Sequence, residues 1–362
     1  MTRILSVIST QDKVGKTAIA IAIASLGQER GLDVGYMKPV GTRLRSRLGK
    51  PVEEDSVLAK RILDLEAEPQ ELTSIIYSQP FIDQVVKGLV DPETLRKEVV
   101  DNFERRSEGK DLMIVEGGSN IDTGGIIDLS GPDLTDIFGA KAVLVTNYKN
   151  LNDLDGILSA AGRLGDRLLG VIFNSVSDLN SEKLETVISP FLEARGIPVL
   201  GTLPRRKRLA GITVEELREN LGARALTGVS EEGLIERFLV GAMTGESALR
   251  YLRRTKCAGF VTGGDRPGVQ RAALESSGVK CLILTGGLKP PKAIIGKAEE
   301  KGVPILLVQS DTLTTVEAAE EALRSERSQG EEAVKIIKDL IVENADINTI
   351  FGTEEVGFNS ED

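Results

Sequence analysis

Ser9-Thr10-Gln11-Asp12-Lys13-Val14-Gly15-Lys16-Thr17 decides the fold. It follows the apolar run Ile4–Ser9 and opens the helical pattern Lys16–Arg30, giving the order strand, loop, helix. In that setting Gly15-Lys16-Thr17 reads as a P-loop. Backbone N–H groups and the helix N-terminus face phosphates, Lys16 bridges the β- and γ-phosphates, and the Thr17 hydroxyl is a hard oxygen for Mg²⁺. Asp12, Lys13, Val14, Gly15, Lys16, Thr17 and Ala18 would then cradle the nucleotide, with Lys16 solvated while the loop is empty.

The same rhythm continues outward. Strands are expected at Asp33–Pro39, Leu112–Glu116, Ala142–Thr146, Leu169–Asn174 and Val199–Gly201. Helices are expected at Asp55–Asp64, Pro92–Arg106, Leu151–Leu164 and Ser181–Arg195. Strands apolar on both faces and separated by helices predict an α/β fold, a P-loop NTPase-type parallel sheet covered on both sides.

Pro204-Arg205-Arg206-Lys207-Arg208 breaks the rhythm and reads as a solvated loop or linker. A first domain, 1–208, is therefore expected to give way to a smaller α/β domain, 209–350, and an acidic, flexible tail, 351–362. The second domain holds an internal echo: Thr262-Gly263-Gly264 and Thr285-Gly286-Gly287 each follow a strand and precede a proline. A third strand, Pro304–Gln309, leads through Ser310-Asp311-Thr312 to a helix at Thr315–Arg324. The tips at Gly263–Asp265, Gly286–Gly287 and Asp311–Thr312 would meet where open sheets bind ligands, or serve only as turns and a cap.

Composition narrows the chemistry. The 362 residues, 41% apolar, suffice for two or three folded domains. There is no histidine, which excludes Ser-His-Asp and Cys-His nucleophile systems and His-ligated zinc. Fifty-five acidic against 45 basic residues argue against nucleic-acid binding, and neither half is basic. Cys257 and Cys281 lie in apolar runs and are expected to be small buried hydrophobes. The N-terminus enters a strand directly, without a signal-peptide pattern, and AIAIAIASL is far too short to span a bilayer. A soluble, cytoplasmic protein is expected.

Three further positions belong with the loop. Lys38 ends the second strand beside it and could neutralise a transferring phosphoryl group or an anionic substrate. Glu116 follows a buried strand, where a magnesium ligand is expected, and Asp55 is a second candidate.

With VISTQDKVGKT, YMKPVG, Glu53–Asp55 and IVEGG in this order, the first half resembles dethiobiotin synthetase. It resembles still more the dethiobiotin-synthetase-like N-terminal domain of long phosphotransacetylases. The second half resembles the DRTGG domain that follows it there, although the string D-R-T-G-G is absent and Thr262–Arg266 stands in that loop. The resemblance covers about Thr2–Arg324 and implies ATP and Mg²⁺ as cofactors. It implies Thr17, Asp55 and Glu116 around the metal, Lys16 and Lys38 as catalytic lysines, Asn174 reading adenine, and a homodimer. The chain departs from the synthetase pattern at Asp12, where threonine is usual, and in Gly117–Gly125.

Three readings follow. In the first, an Mg-ATP-binding protein has a regulatory or metabolite-sensing role, with a small anionic metabolite or a protein partner of acetyl metabolism. In the second, an ATP-dependent ligase acts on a carboxylate or carbamate. In the third, a non-catalytic accessory subunit works through protein contacts. The chain is expected to stop before an acetyltransferase domain, so acetyl transfer by this chain alone is not expected.

Overall fold

Six aliphatic runs of the first half form one parallel sheet. They are β1 (Arg3–Ser9), β2 (Val34–Met37), β3 (Leu112–Glu116), β4 (Lys141–Thr146), β5 (Leu168–Val176) and β6 (Val199–Pro204). The order is β6-β5-β4-β1-β3-β2, with every adjacent pair parallel. The P-loop strand β1 is therefore central, flanked by β3 and β4, and all six strands fall where the sequence puts them. The computed structural model describes residues 2–47, 50–206, 211–228, 234–241, 247, 252, 255–329 and 331–352.

Helices cover both faces. Met113 and Val115 of β3 pack with Val99 and Phe103 of α3 (Pro92–Ser107). Ile8, Leu144 and Phe173 pack with Ile157, Ala160 and Leu164 of α4 (Asp153–Leu164). Because side chains alternate along a strand, Leu112 points to the opposite face. There Gly27 of α1 (Lys16–Glu29) lies against Val34 and Leu112, closely enough that a Cβ would stand 3.0 Å and 3.1 Å from their side chains. The acidic run before the next helix ends a small antiparallel hairpin, Leu44–Arg47 with Lys50–Glu53, and α2 (Glu54–Leu63) follows at once.

The second unit is a five-stranded sheet. Strands β7 (Arg224–Ala225), β8 (Arg237–Val240), β9 (Ala258–Gly263), β10 (Val279–Thr285) and β11 (Ile305–Leu307) lie in the order β7-β11-β10-β9-β8. Only β7 is antiparallel to its neighbour. One face packs Phe260, Leu282 and Leu284 on α5 (Pro267–Leu274) and α6 (Lys292–Lys301). The other packs Val261, Cys281 and Ile283 on Ala319 and Ala322 of α7 (Thr312–Gln329). The echoed strands β9 and β10 are neighbours, as expected, with Gly263 paired to Thr285. Cys281 is buried, but Cys257 is only half-buried and sits at φ 51°, at the entry to β9 rather than in the core.

The division of the chain corrects one expectation. The two contact units are Met1–Arg205 with Glu331–Asp362, and Arg206–Gly330. The segment from Glu331, expected in the second domain to residue 350, thus belongs to the first. Its helix α8 (Glu331–Asn344) buries Val334, Ile337, Leu340 and Ile341, and α8 packs along α1. The reason lies in α1 itself: Ala18–Ala24 are all buried, and a helix apolar all round needs cover on every side. The return is fixed further by α9 (Ile347–Phe351). Asp346 N–H donates to the Leu200 carbonyl (2.6 Å), Arg3 donates to the Ile350 carbonyl (2.9 Å), and Arg30 stacks over the Phe351 ring at 4.7 Å. Residues 207–208 of the expected linker, the boundary at 209 and the tail from 353 lie outside the described residues.

Candidate functional site

The P-loop turns into α1 through two left-handed residues, Lys13 (φ 58°) and Gly15 (φ 84°), with Gly15 as the N-cap. Glycine is needed at position 15 for a second reason, since a Cβ there would come within 2.4 Å of Asn174 Nδ2. Asp12 and Lys13 are exposed, whereas Val14, Lys16, Thr17 and Ala18 are buried. The expectation of a solvated Lys16 is therefore wrong: the side chain is buried. Its Nζ donates to the Gly118 carbonyl and stands 4.0 Å from Glu116 Oε1.

Glu116 anchors the cluster from the end of β3. Thr17 Oγ1 donates to its Oε1 (2.7 Å), and Tyr36 OH donates to its Oε2 (2.6 Å). The register of β2 on β3, with Met37 opposite Val115, carries Lys38 level with Glu116. Lys38 Nζ lies 3.2 Å from Glu116 Oε1 and 2.9 Å from Glu53 Oε1, and it donates to Asp55 Oδ2. Glu53 Oε2 is held by the Arg43 backbone N–H at 2.8 Å, and the Arg43 guanidinium reaches Asp55 Oδ1 at 3.7 Å. Lys16, Thr17, Lys38, Asp55 and Glu116 are thus brought together.

Five charged side chains share this buried volume, and their proton affinities respond. Burial pulls Lys16 down to about 8, against the attraction of Glu116. Burial works on Lys38 in the same direction, but Asp55, Glu116 and Glu53 together overcome it and hold its value above that of an ordinary lysine. Glu53 is lifted by burial to about 7, although Lys38 opposes this. Burial would also lift Asp55, yet Lys38 and then Arg43 bring it down to about 2. Burial, with Glu116 beside it, puts the Tyr36 phenol well above its usual value. Such a buried set is a poor way to gain stability and a common one to hold a charged ligand.

Asn174 stands at the end of β5 as expected, but its amide is turned to the loop. Nδ2 donates to the Val14 carbonyl (2.8 Å), and Oδ1 accepts from the Ser175 N–H (2.9 Å). In this structure it braces the P-loop from behind. Glu53, Tyr36 and Arg43 join the site without having been singled out individually. Tyr36 has a legible signal, since it lies on a buried strand two residues before Lys38, which follows that strand directly.

Magnesium is the metal the loop implies, and the donors suit it: the Thr17 hydroxyl and the carboxylates of Asp55 and Glu116, all hard oxygens. Asp55 Oδ1 is buried and makes no hydrogen bond, facing the Arg43 guanidinium at 3.7 Å, which leaves lone pairs for a cation. Among the described residues, no group of three or more acidic or thiol side chains is arranged to hold a metal alone. Nucleotide phosphates and water would complete the shell, as is usual for this ion.

In the second unit the strand tips are knitted to one another. Gly264 N–H donates to the Thr285 carbonyl (3.3 Å), Gly286 N–H to Ser310 (2.9 Å) and Gly287 N–H to Val308 (2.8 Å). Asp311 Oδ1 caps α7 by accepting from the N–H groups of Leu313 and Thr314. These are the turn and cap roles. Among the described residues, no helix is long and apolar enough to cross a membrane.

Comparison with known proteins agrees with this architecture. An ATP-dependent dethiobiotin synthetase BioD of Bacillus licheniformis is 26% identical over 204 residues, covering 55% of this chain and 84% of that protein. The BioD of Methanocaldococcus jannaschii is 27% identical over 207 residues, covering 55% and 92%. A phosphate acetyltransferase of Haemophilus influenzae is 24% identical over 355 residues; the match covers 87% of this chain but 48% of that protein, so the chain spans about half of it. A DRTGG domain model matches residues 216–322, and an AAA domain model matches residues 3–213. The second match takes in more than half of the chain, which therefore belongs to this dethiobiotin-synthetase-like AAA domain family and carries a DRTGG domain after it.

Proposed function

We propose that the first unit binds Mg-ATP and that the chain uses this occupancy in a regulatory or metabolite-sensing role. The observation that carries the reading is the meeting of Thr17, Lys16 and Glu116 at the mouth of a P-loop. Oriented backbone N–H groups, a lysine and a magnesium donor set then face one place. Lys38, the residue best suited to phosphoryl chemistry, is buried among three carboxylates, which favours binding over turnover. The phosphate acetyltransferase likeness runs through both units, which favours a role beside acetyl metabolism. Titrating Mg-ATP into the full chain by calorimetry tests the binding; the Lys16→Ala variant should lose most of the affinity. Heat of binding that persists in Lys16→Ala would overturn the site assignment.

A second reading, an ATP-dependent ligase acting on a carboxylate or carbamate, is favoured by the complete set Lys16, Thr17, Lys38, Asp55 and Glu116 and by the dethiobiotin synthetase relatives. Phosphate release from ATP with pooled carboxylic metabolites separates the two. Turnover abolished by Lys38→Ala would replace the regulatory reading with the ligase. A homodimer remains part of the proposal on the strength of the resemblance, and sedimentation of the full chain checks it.

A further inference from the structure

We propose that Lys38 is the resident cation of the magnesium position. Its ammonium and the divalent ion compete for the same oxygens of Asp55 and Glu116, so that binding of the metal requires Lys38 to leave them. The inference rests on the Mg-ATP reading above.

Three observations support it. First, one carboxylate is enough to neutralise a buried lysine, yet Lys38 has three in contact. Lys16 also stands by Glu116 and the Arg43 guanidinium by Asp55, so Asp55 and Glu116 each face more than one cation and neither depends on Lys38 alone. Second, Glu116 Oε1 serves two partners at once, accepting from Thr17 at 2.7 Å while facing Lys38 at 3.2 Å. A cation ligated by Thr17 and Glu116 would therefore share its oxygen with the ammonium. Asp55 is divided in the same way, its Oδ2 bound to Lys38 and its Oδ1, buried without a hydrogen bond, 3.7 Å from the Arg43 guanidinium.

Third, Glu53 lies outside the metal donor set and keeps a partner for the displaced ammonium. Its Oε2 is fixed by the Arg43 backbone N–H, leaving Oε1 turned to Lys38. Room for that carboxylate depends on Gly41, where a Cβ would stand 2.9 Å from Glu53 Oε2. Asp55 and Glu116 can thus change cation while Glu53 keeps hold of the lysine. Metal binding would thus shift the lysine away from Asp55 and Glu116 and toward Glu53.

The test uses the nucleotide-free full chain with Mn²⁺ as the probe, its free concentration read by electron paramagnetic resonance. Lys38→Met should bind Mn²⁺ about tenfold more tightly than wild type, because a competing charge is gone. Lys38→Arg, which keeps the charge, should stay near wild type. Equal or weaker binding by Lys38→Met, or equal tightening by Lys38→Arg, would overturn the proposal. If Lys38→Met is poorly folded without metal, Mn²⁺ must raise its Tm by more than it raises that of wild type; no extra rise overturns the proposal as well. Wild type is titrated with Mg-ATP in parallel. Failure there would sink the nucleotide reading, while the nucleotide-free Mn²⁺ comparison still decides the role of Lys38.

Discussion

Asn174 holds Val14: its Nδ2 donates to the Val14 carbonyl at 2.8 Å, so the strand next to the loop on the far side of β4 fixes the loop's backbone. Removing that amide in Asn174→Ala should cost about 1 kcal/mol of stability. It should also weaken nucleotide binding roughly fivefold, through a looser loop rather than a lost ligand contact. Gly15→Ala should be worse on both counts, since φ is +84° and the new Cβ meets the amide. Thermal melts and calorimetry on both variants check this order.

Lys16 gives a prediction opposite in sign for fold and for ligand. Its folded value of about 8 lies below the ordinary 10.5, so between those values the unfolded chain binds more protons and stability rises with pH. The penalty is fully present below about 8 and disappears toward 10.5. Lys16→Met should therefore raise the Tm of the ligand-free protein at neutral pH while losing most nucleotide affinity. The gain in Tm should close as pH climbs through that window.

Glu53 and Asp55 should pull acid stability in opposite directions. Glu53, raised from 4.5 to about 7, binds its proton more tightly when folded, so its contribution is lost as pH rises across that range. Asp55, lowered from 3.8 to about 2, contributes above 3.8 and is lost as pH falls toward 2. In urea melts across pH, Glu53→Gln should flatten the first limb and Asp55→Asn the second.

Tyr36→Phe removes the hydrogen bond to Glu116 Oε2 and nothing else of the ring. A bond to a charged acceptor is worth roughly 1.5–3 kcal/mol. The variant should lose affinity for Mg-ATP but little for ATP in excess chelator. Equal loss in both conditions would mean that Tyr36 supports the fold without orienting Glu116.

Ile341→Ala tests the return of the chain. Ile341 is fully buried in α8, and truncating such a residue costs about 2–5 kcal/mol. The first unit should lose that stability while the second unit, melted by its own probe, does not change.

The sheet and the P-loop were legible because their signals are local. A run of apolar β-branched residues, a glycine and a helix start sit within a few residues of one another. Lys38, Asp55 and Glu116 were legible as charges at strand or helix ends. What the residues could not reveal is which carboxylate meets which ammonium. Glu53 lies fifteen positions from Lys38 in sequence, and the pairing follows from β2 lying beside β3 and from the hairpin that ends at Glu53. The burial of Lys16 is hidden from the sequence for the same reason, since its partner Gly118 lies 102 positions away. The role of α8 has one signal, the uniformly apolar α1, which the sheet and α2 cover only in part.

That cover arrives late. Between Glu29, which ends α1, and Glu331, which begins α8, lie about 300 residues. A ribosome adding ~5–20 residues each second needs roughly 15–60 s to make them. Throughout that time the outer face of the phosphate-binding helix is bare, and the whole second unit can fold before the first is finished. The packing around α1, on which the P-loop stands, is thus completed only once the α8 helix has been made.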